Sequence, residues 1–103
     1  MTESTEQSRF VRWAKAQGFF VRKLESTSNK GFPDLIVADP KTRRHFFMEM
    51  KDSAGRESAH QKLTAKLMRD CGIHVVTAWS AEQARAATDA IFRSPEHLGE
   101  FGS

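Results

Sequence analysis

The chain has 103 residues, which gives room for one domain around one small core, with 39% apolar residues to fill it. Its single cysteine excludes an internal disulfide and any multi-cysteine zinc site, and no apolar run approaches the roughly 20 residues that span a bilayer. Sixteen Lys and Arg against thirteen Asp and Glu leave a net charge of +3 and a pI near 9.4, a mild excess that fits either solvated helix faces or a phosphate-tracking surface.

The opening "MTESTEQS" has neither the basic nor the apolar segment of a secretory signal, so a cytosolic location is expected. Within it, "STEQ" at 4–7 sets Ser and Gln three apart, the spacing of a capping box, and predicts a first helix. Phe10, Trp13, Ala14 and Gln17 mark one face of that helix, and Gly18 supplies its stop. "FFVRKL" at 19–24 reads as a strand and "ESTSNKGF" at 25–32 as a polar loop. "LIVAD" at 35–39 and "HFFMEM" at 45–50 read as two more strands around a Pro-Lys-Thr-Arg turn at 40–43. "SAHQ" at 58–61 opens a second helix whose stripe is Leu63, Leu67 and Met68, stopped at Gly72. "IHVVTAW" at 73–79 is a fourth strand. "SAEQ" at 80–83 caps a third helix with a weaker stripe of Ala84, Ala87 and Ala90 or Ile91, running to about Phe92. The remaining "RSPEHLGEFGS" has no periodicity, so one domain over 1–93 and a flexible tail over 94–103 are expected, without internal repeats.

The order α-β-β-β-α-β-α places the chain in the α/β class. Strand, helix and strand in succession normally make a parallel crossover, while the first three strands suit a meander. A mixed sheet with helices on its faces follows.

The hairpin carries the chemistry. If its strands pair symmetrically about the turn, Asp34 faces Glu49, with Cβ atoms about 4.5–5.5 Å apart. Glu49 and Lys51 are two apart and share a face. Directly opposed carboxylates destabilise a sheet unless a cation lies between them, and hard cations such as Mg²⁺ prefer such oxygens. Taken alone, Glu-x-Lys is a weak motif whose ordinary meaning is a salt bridge at a strand end.

In order and spacing, "GFPD" at 31–34, a hydrophobic strand, "FFMEMK" at 46–51, a Gly-bearing loop and "SAHQ" at 58–61 resemble the VRR-NUC family of the PD-(D/E)XK nuclease superfamily. The resemblance runs from the first helix to about residue 80. It implies a restriction-endonuclease-like α/β core and a Mg²⁺- or Mn²⁺-dependent endodeoxyribonuclease of stand-alone phage or bacterial type. Carried over by position, Asp34 and Glu49 would ligate the metal, the Met50 carbonyl would complete the coordination, and Lys51 would be the catalytic lysine. Gln61 would lie near the scissile phosphate, although as the N3 residue of a capping box it equally has a structural task. The family's first-helix acid maps to Glu6, with Glu3 as the alternative. The resemblance further implies a homodimer acting on branched or junction DNA in the manner of a Holliday-junction resolvase; the apolar surface of the third helix or of Phe19 and Phe20 is expected to join it, and the sequence does not decide between them. A DNA-binding module that keeps the fold without hydrolysis is the alternative.

Other residues carry less. His45, His60, His74 and His97 have no metal-ligand spacing, and Trp13 and Trp79 suit packing. Cys71, on an apolar stripe before Gly72, is expected in the core. Lys62 and Lys66, one turn apart, are expected to touch phosphate.

Overall fold

The computed structural model describes residues 5–24, 31–51 and 58–94. Glu3, Ser4, the polar loop with Lys30, the Gly-bearing loop at 52–57, and the expected tail from 95 onward with His97 lie outside the described residues. The elements are α1 (Thr5–Ala16), β1 (Phe20–Lys23), β2 (Leu35–Asp39), β3 (Arg44–Met50), α2 (Ala59–Asp70), β4 (Val75–Ala78) and α3 (Ala81–Arg93), the order read from the sequence.

The strands form one sheet in the order β1-β2-β3-β4. β1 and β3 both run antiparallel to β2, and β4 is parallel to β3 after the α2 crossover, so the sheet is mixed. In the hairpin Leu35 stands opposite Met48 and Asp39 opposite Arg44, a symmetric register that one residue further on sets Asp34 against Glu49. Asp39 pins that register. Its carboxylate accepts the Lys41 N–H at 3.0 Å and the Thr42 hydroxyl at 3.0 Å, and its carbonyl accepts the Arg43 N–H at 2.8 Å. Arg43 completes the turn in the left-handed region, at φ 63°. A slip of one residue would send every side chain of β3 to the wrong face.

α1 and α2 end alike. Gly18 and Gly72 take positive φ, and paired bonds follow: Gly18 N–H to Lys15 O and Phe19 N–H to Ala14 O, then Gly72 N–H to Arg69 O and Ile73 N–H to Met68 O. This Schellman geometry satisfies carbonyls the helix leaves open. Cys71 is the C-cap residue there and is exposed, which corrects its expected place in the core: the cap turns the chain before that side chain can reach the sheet.

Alternation along β3 divides the interior. Phe46 and Met48 join Phe10, Ala14, Leu35, Val37, Ile91 and Phe92 in the main core, where α1 and α3 cover one face of the sheet. Trp13 packs against that core, as expected of it, whereas Trp79 is exposed. Phe47 faces the other way, onto a smaller cluster of Ala65, Met68, Val75 and Ile73 under α2. Rings meet T-shaped or tilted through the main core, with centroids 5.9 Å apart for Trp13 and Phe19, 5.0 Å for Phe19 and Phe92, and 5.4 Å for Phe92 and Phe46. Phe19 packs against this core, and of the α3 stripe Ala84 and Ile91 are buried in it while Ala90 is exposed. Phe20 is 48% exposed, beneath the Arg22 guanidinium.

α2 is also rotated from its expected setting. Ala65 and Met68 face the sheet, whereas Leu63 and Leu67 are 56% and 54% exposed. Two local constraints explain the rotation. Gln61 reaches the end of β3, and Gly31 approaches the first turn so closely that a Cβ there would lie 2.5 Å from the His60 carbonyl oxygen and 2.9 Å from Thr64 Oγ1. The stripe containing Gln61 thus faces inward, and Leu63 and Leu67 do not belong to it.

Candidate active site

The candidate site lies where the hairpin ends farthest from its turn. Asp34 immediately precedes β2, and its main chain is held by the Leu24 N–H on its carbonyl at 2.7 Å. Its carboxylate accepts the Met50 N–H at 3.1 Å, tying the acid to β3 where ladder pairing stops. β3 continues along β4 through the Lys51 N–H on the Ala78 carbonyl at 2.9 Å, which fixes the backbone between Glu49 and Lys51.

The side chains of Glu49, Lys51 and Gln61 form a closed triangle. Gln61 Nε2 donates to Glu49 Oε2 at 2.5 Å, Lys51 Nζ donates to Gln61 Oε1 at 2.5 Å, and Lys51 Nζ lies 3.3 Å from Glu49 Oε2. Gln61 Oε1 also accepts the Ser58 N–H at 3.0 Å, while Ser58 Oγ accepts the Gln61 N–H at 3.1 Å. The capping box holds its oxygen at the helix start and leaves its amide to hold the Glu49 carboxylate.

Burial makes this triangle electrostatically demanding. The Glu49 side chain is 6% exposed and that of Lys51 15%. Burial, and then the Asp34 carboxylate opposite, push the Glu49 carboxyl from 4.5 up to about 7, against the opposing pull of Lys51. Glu49 Oε1 is buried and accepts no hydrogen bond from the described residues. A buried acceptor left unpaired costs about 1–3 kcal/mol, and opposed carboxylates add to that cost. A hard divalent cation on the open oxygen would remove both penalties, so the donor set fits such an ion. Among the described residues no group of three or more His, Cys, Asp or Glu side chains converges, so the fit rests on two carboxylates with main-chain carbonyl and water oxygens.

Glu6 is engaged elsewhere. Its Oε1 accepts the Ala81 N–H at the start of α3 at 2.7 Å, and its Oε2 pairs with Arg9 at 3.2 Å, so this carboxylate clips α1 to α3. Lys66 is paired with Asp70 at 2.9 Å. Sequence reasoning missed the Asp34–Met50 bond and the Gly31–His60 approach. The adjacency of Gly31 to "FPD" was the available signal for the second, because only glycine admits a backbone so near.

A mixed four-stranded sheet between helices, with an opposed acid pair, a lysine and a glutamine at one end, defines an α/β domain of nuclease-like fold. No protein-family model matches the chain, and no curated protein matches it. A solved structure described as a VRR_NUC domain superposes with a TM-score of 0.67 at 28% identity, covering 84% of this chain and 97% of that one. That likeness in fold and sequence supports membership of the VRR-NUC family.

Proposed function

We propose that the chain is a Mg²⁺- or Mn²⁺-dependent endonuclease that hydrolyses phosphodiester bonds in DNA. The observation that carries the proposal is Glu49 Oε1, a buried carboxylate oxygen without a partner among the described residues, set opposite a second carboxylate. Asp34 and Glu49 would hold the ion, with the Met50 carbonyl completing the set; Glu6, spent on α3, is left out of it. When bound, such an ion polarises a phosphoryl oxygen and lowers the pKa of a water ligand.

The chain's own residues supply the rest. Lys51 has three N–H donors, of which Gln61 and Glu49 occupy two; the third remains to orient the attacking water or to meet charge developing on the phosphate. Gln61 fixes both neighbours from a capped helix start, so the ammonium is set before substrate arrives. Action as a homodimer on branched or junction DNA is the finer form of this reading.

The test is cleavage of duplex and four-way-junction DNA with and without Mn²⁺, beside calorimetric titration of the metal. Asp34→Ala should lose both metal binding and cleavage, and Lys51→Ala should lose cleavage while still binding metal. Cleavage by Asp34→Ala at saturating Mn²⁺ would refute the site. Light scattering that returns 11.7 kDa at micromolar concentration would remove the homodimer and leave the chemistry standing.

A further inference from the structure

Many cations among the described residues are spent inside the fold. Arg9 pairs with Glu6 and Glu82, Lys66 with Asp70, and Arg93 with Asp89; Arg44 and Arg69 donate to the Ile91 and Val75 carbonyls. One region differs. Between α1 and the edge strand β1 runs a groove of about 620 Å³ with Val21 and Leu35 in its wall, lined also by Arg12, Lys15, Arg22 and Lys23, and by no carboxylate. Arg12 and Lys15 are exposed, lie one turn apart on α1, and form no ion pair with a described residue. Arg22 donates to the Val21 carbonyl at 3.0 Å, which leaves most of its five N–H donors uncommitted by that bond.

The groove lies on the α1 face of the sheet, at the end of β2 that carries the candidate site. Leu35 follows Asp34 directly, Lys23 stands opposite Leu35 in the ladder, and the Leu24 N–H holds the Asp34 carbonyl. An added protein strand suits this edge poorly, because Arg22 occupies a β1 carbonyl and the flanking charges oppose edge pairing. A polyanion with evenly spaced charges suits it well.

We propose that the α1–β1 groove is a phosphate-binding track that holds the DNA backbone beyond the point of cleavage, an inference that rests on the nuclease reading of the site. The substitution that tests it is Arg12→Gln with Lys15→Gln, both on the exposed side of α1, where surface changes move stability by about 0.5 kcal/mol or less. Binding of a labelled duplex is measured across a salt series in an Asp34→Ala background, so that nothing is cut. Each phosphate that the protein ceases to neutralise lowers the slope of log K against log salt by about 0.9, so the pair should lower it by about 2 and weaken all sequences alike. An unchanged slope overturns the track, as does competition by a poly-glutamate peptide equal to that by unlabelled duplex. Mn²⁺-dependent cutting by the unsubstituted chain is read in parallel. A shifted slope without cutting supports the track and defeats the nuclease reading, and cutting with an unshifted slope does the reverse.

Discussion

Glu49→Gln in the metal-free chain isolates the electrostatic cost of the site. The Glu49 carboxyl is raised from 4.5 to about 7, so between those values the folded chain binds a proton that the unfolded chain has released. Stability changes with pH in proportion to protons bound in the unfolded state minus those bound in the folded state, so here it falls as pH rises. The slope is about 1.4 kcal/mol per pH unit, and over the interval the wild-type chain loses about 3 kcal/mol that Glu49→Gln keeps. The loss is confined to that window: below it both states are protonated, and above it both are ionised. Urea unfolding of the two chains in EDTA, at several pH values across the interval, measures the difference directly. The variant should gain on wild type steadily from acid to neutral pH. Adding Mg²⁺ at about one hundred times its dissociation constant should then return about 2.7 kcal/mol at neutral pH, and return it to wild type alone. A difference that stays constant with pH would refute the account of Glu49 as a buried acid awaiting a cation.

Two further substitutions test the surroundings. Gly31→Ala should cost about 2 kcal/mol or more, because alanine is disfavoured at φ +89° and its Cβ would press on the His60 carbonyl; it should also slow cleavage, as α2 carries Gln61 away from Glu49, and a thermal melt beside a rate assay reads both. Met68→Ala should destabilise by about 2–5 kcal/mol while Leu67→Ala stays within about 0.5 kcal/mol, and denaturant midpoints in the opposite order would reject the rotation of α2.

Local rules made much of the fold legible in the sequence. Strand alternation, the capping box at Ser58 and Gln61, and the glycines at 18 and 72 act over a few residues, so the order of elements follows from neighbours alone. The hairpin is local as well: a tight turn sets the register, and the register sets Asp34 opposite Glu49. That is why Asp34, Glu49 and Lys51 could be named from spacing together with a family resemblance. Gln61 was legible only as two alternatives, because whether its side chain serves the helix or the site depends on where the helix start lands.

The rest was decided by packing between distant segments. The face that α2 presents depends on Gly31 and on the end of β3, which outweigh the pull of two leucines that sequence periodicity assigns to the core. Glu6, a first-turn acid with the right spacing, is claimed by the start of α3, some 75 residues along the chain. Phe19, Ala84 and Ile91 look like spare apolar surface until the sheet brings Phe46 and Phe92 into one core with them. The partnerless oxygen of Glu49 has no signature in the sequence at all: it exists because β3, the hairpin and the capped end of α2 close over one carboxylate and leave one of its atoms without a donor among the described residues.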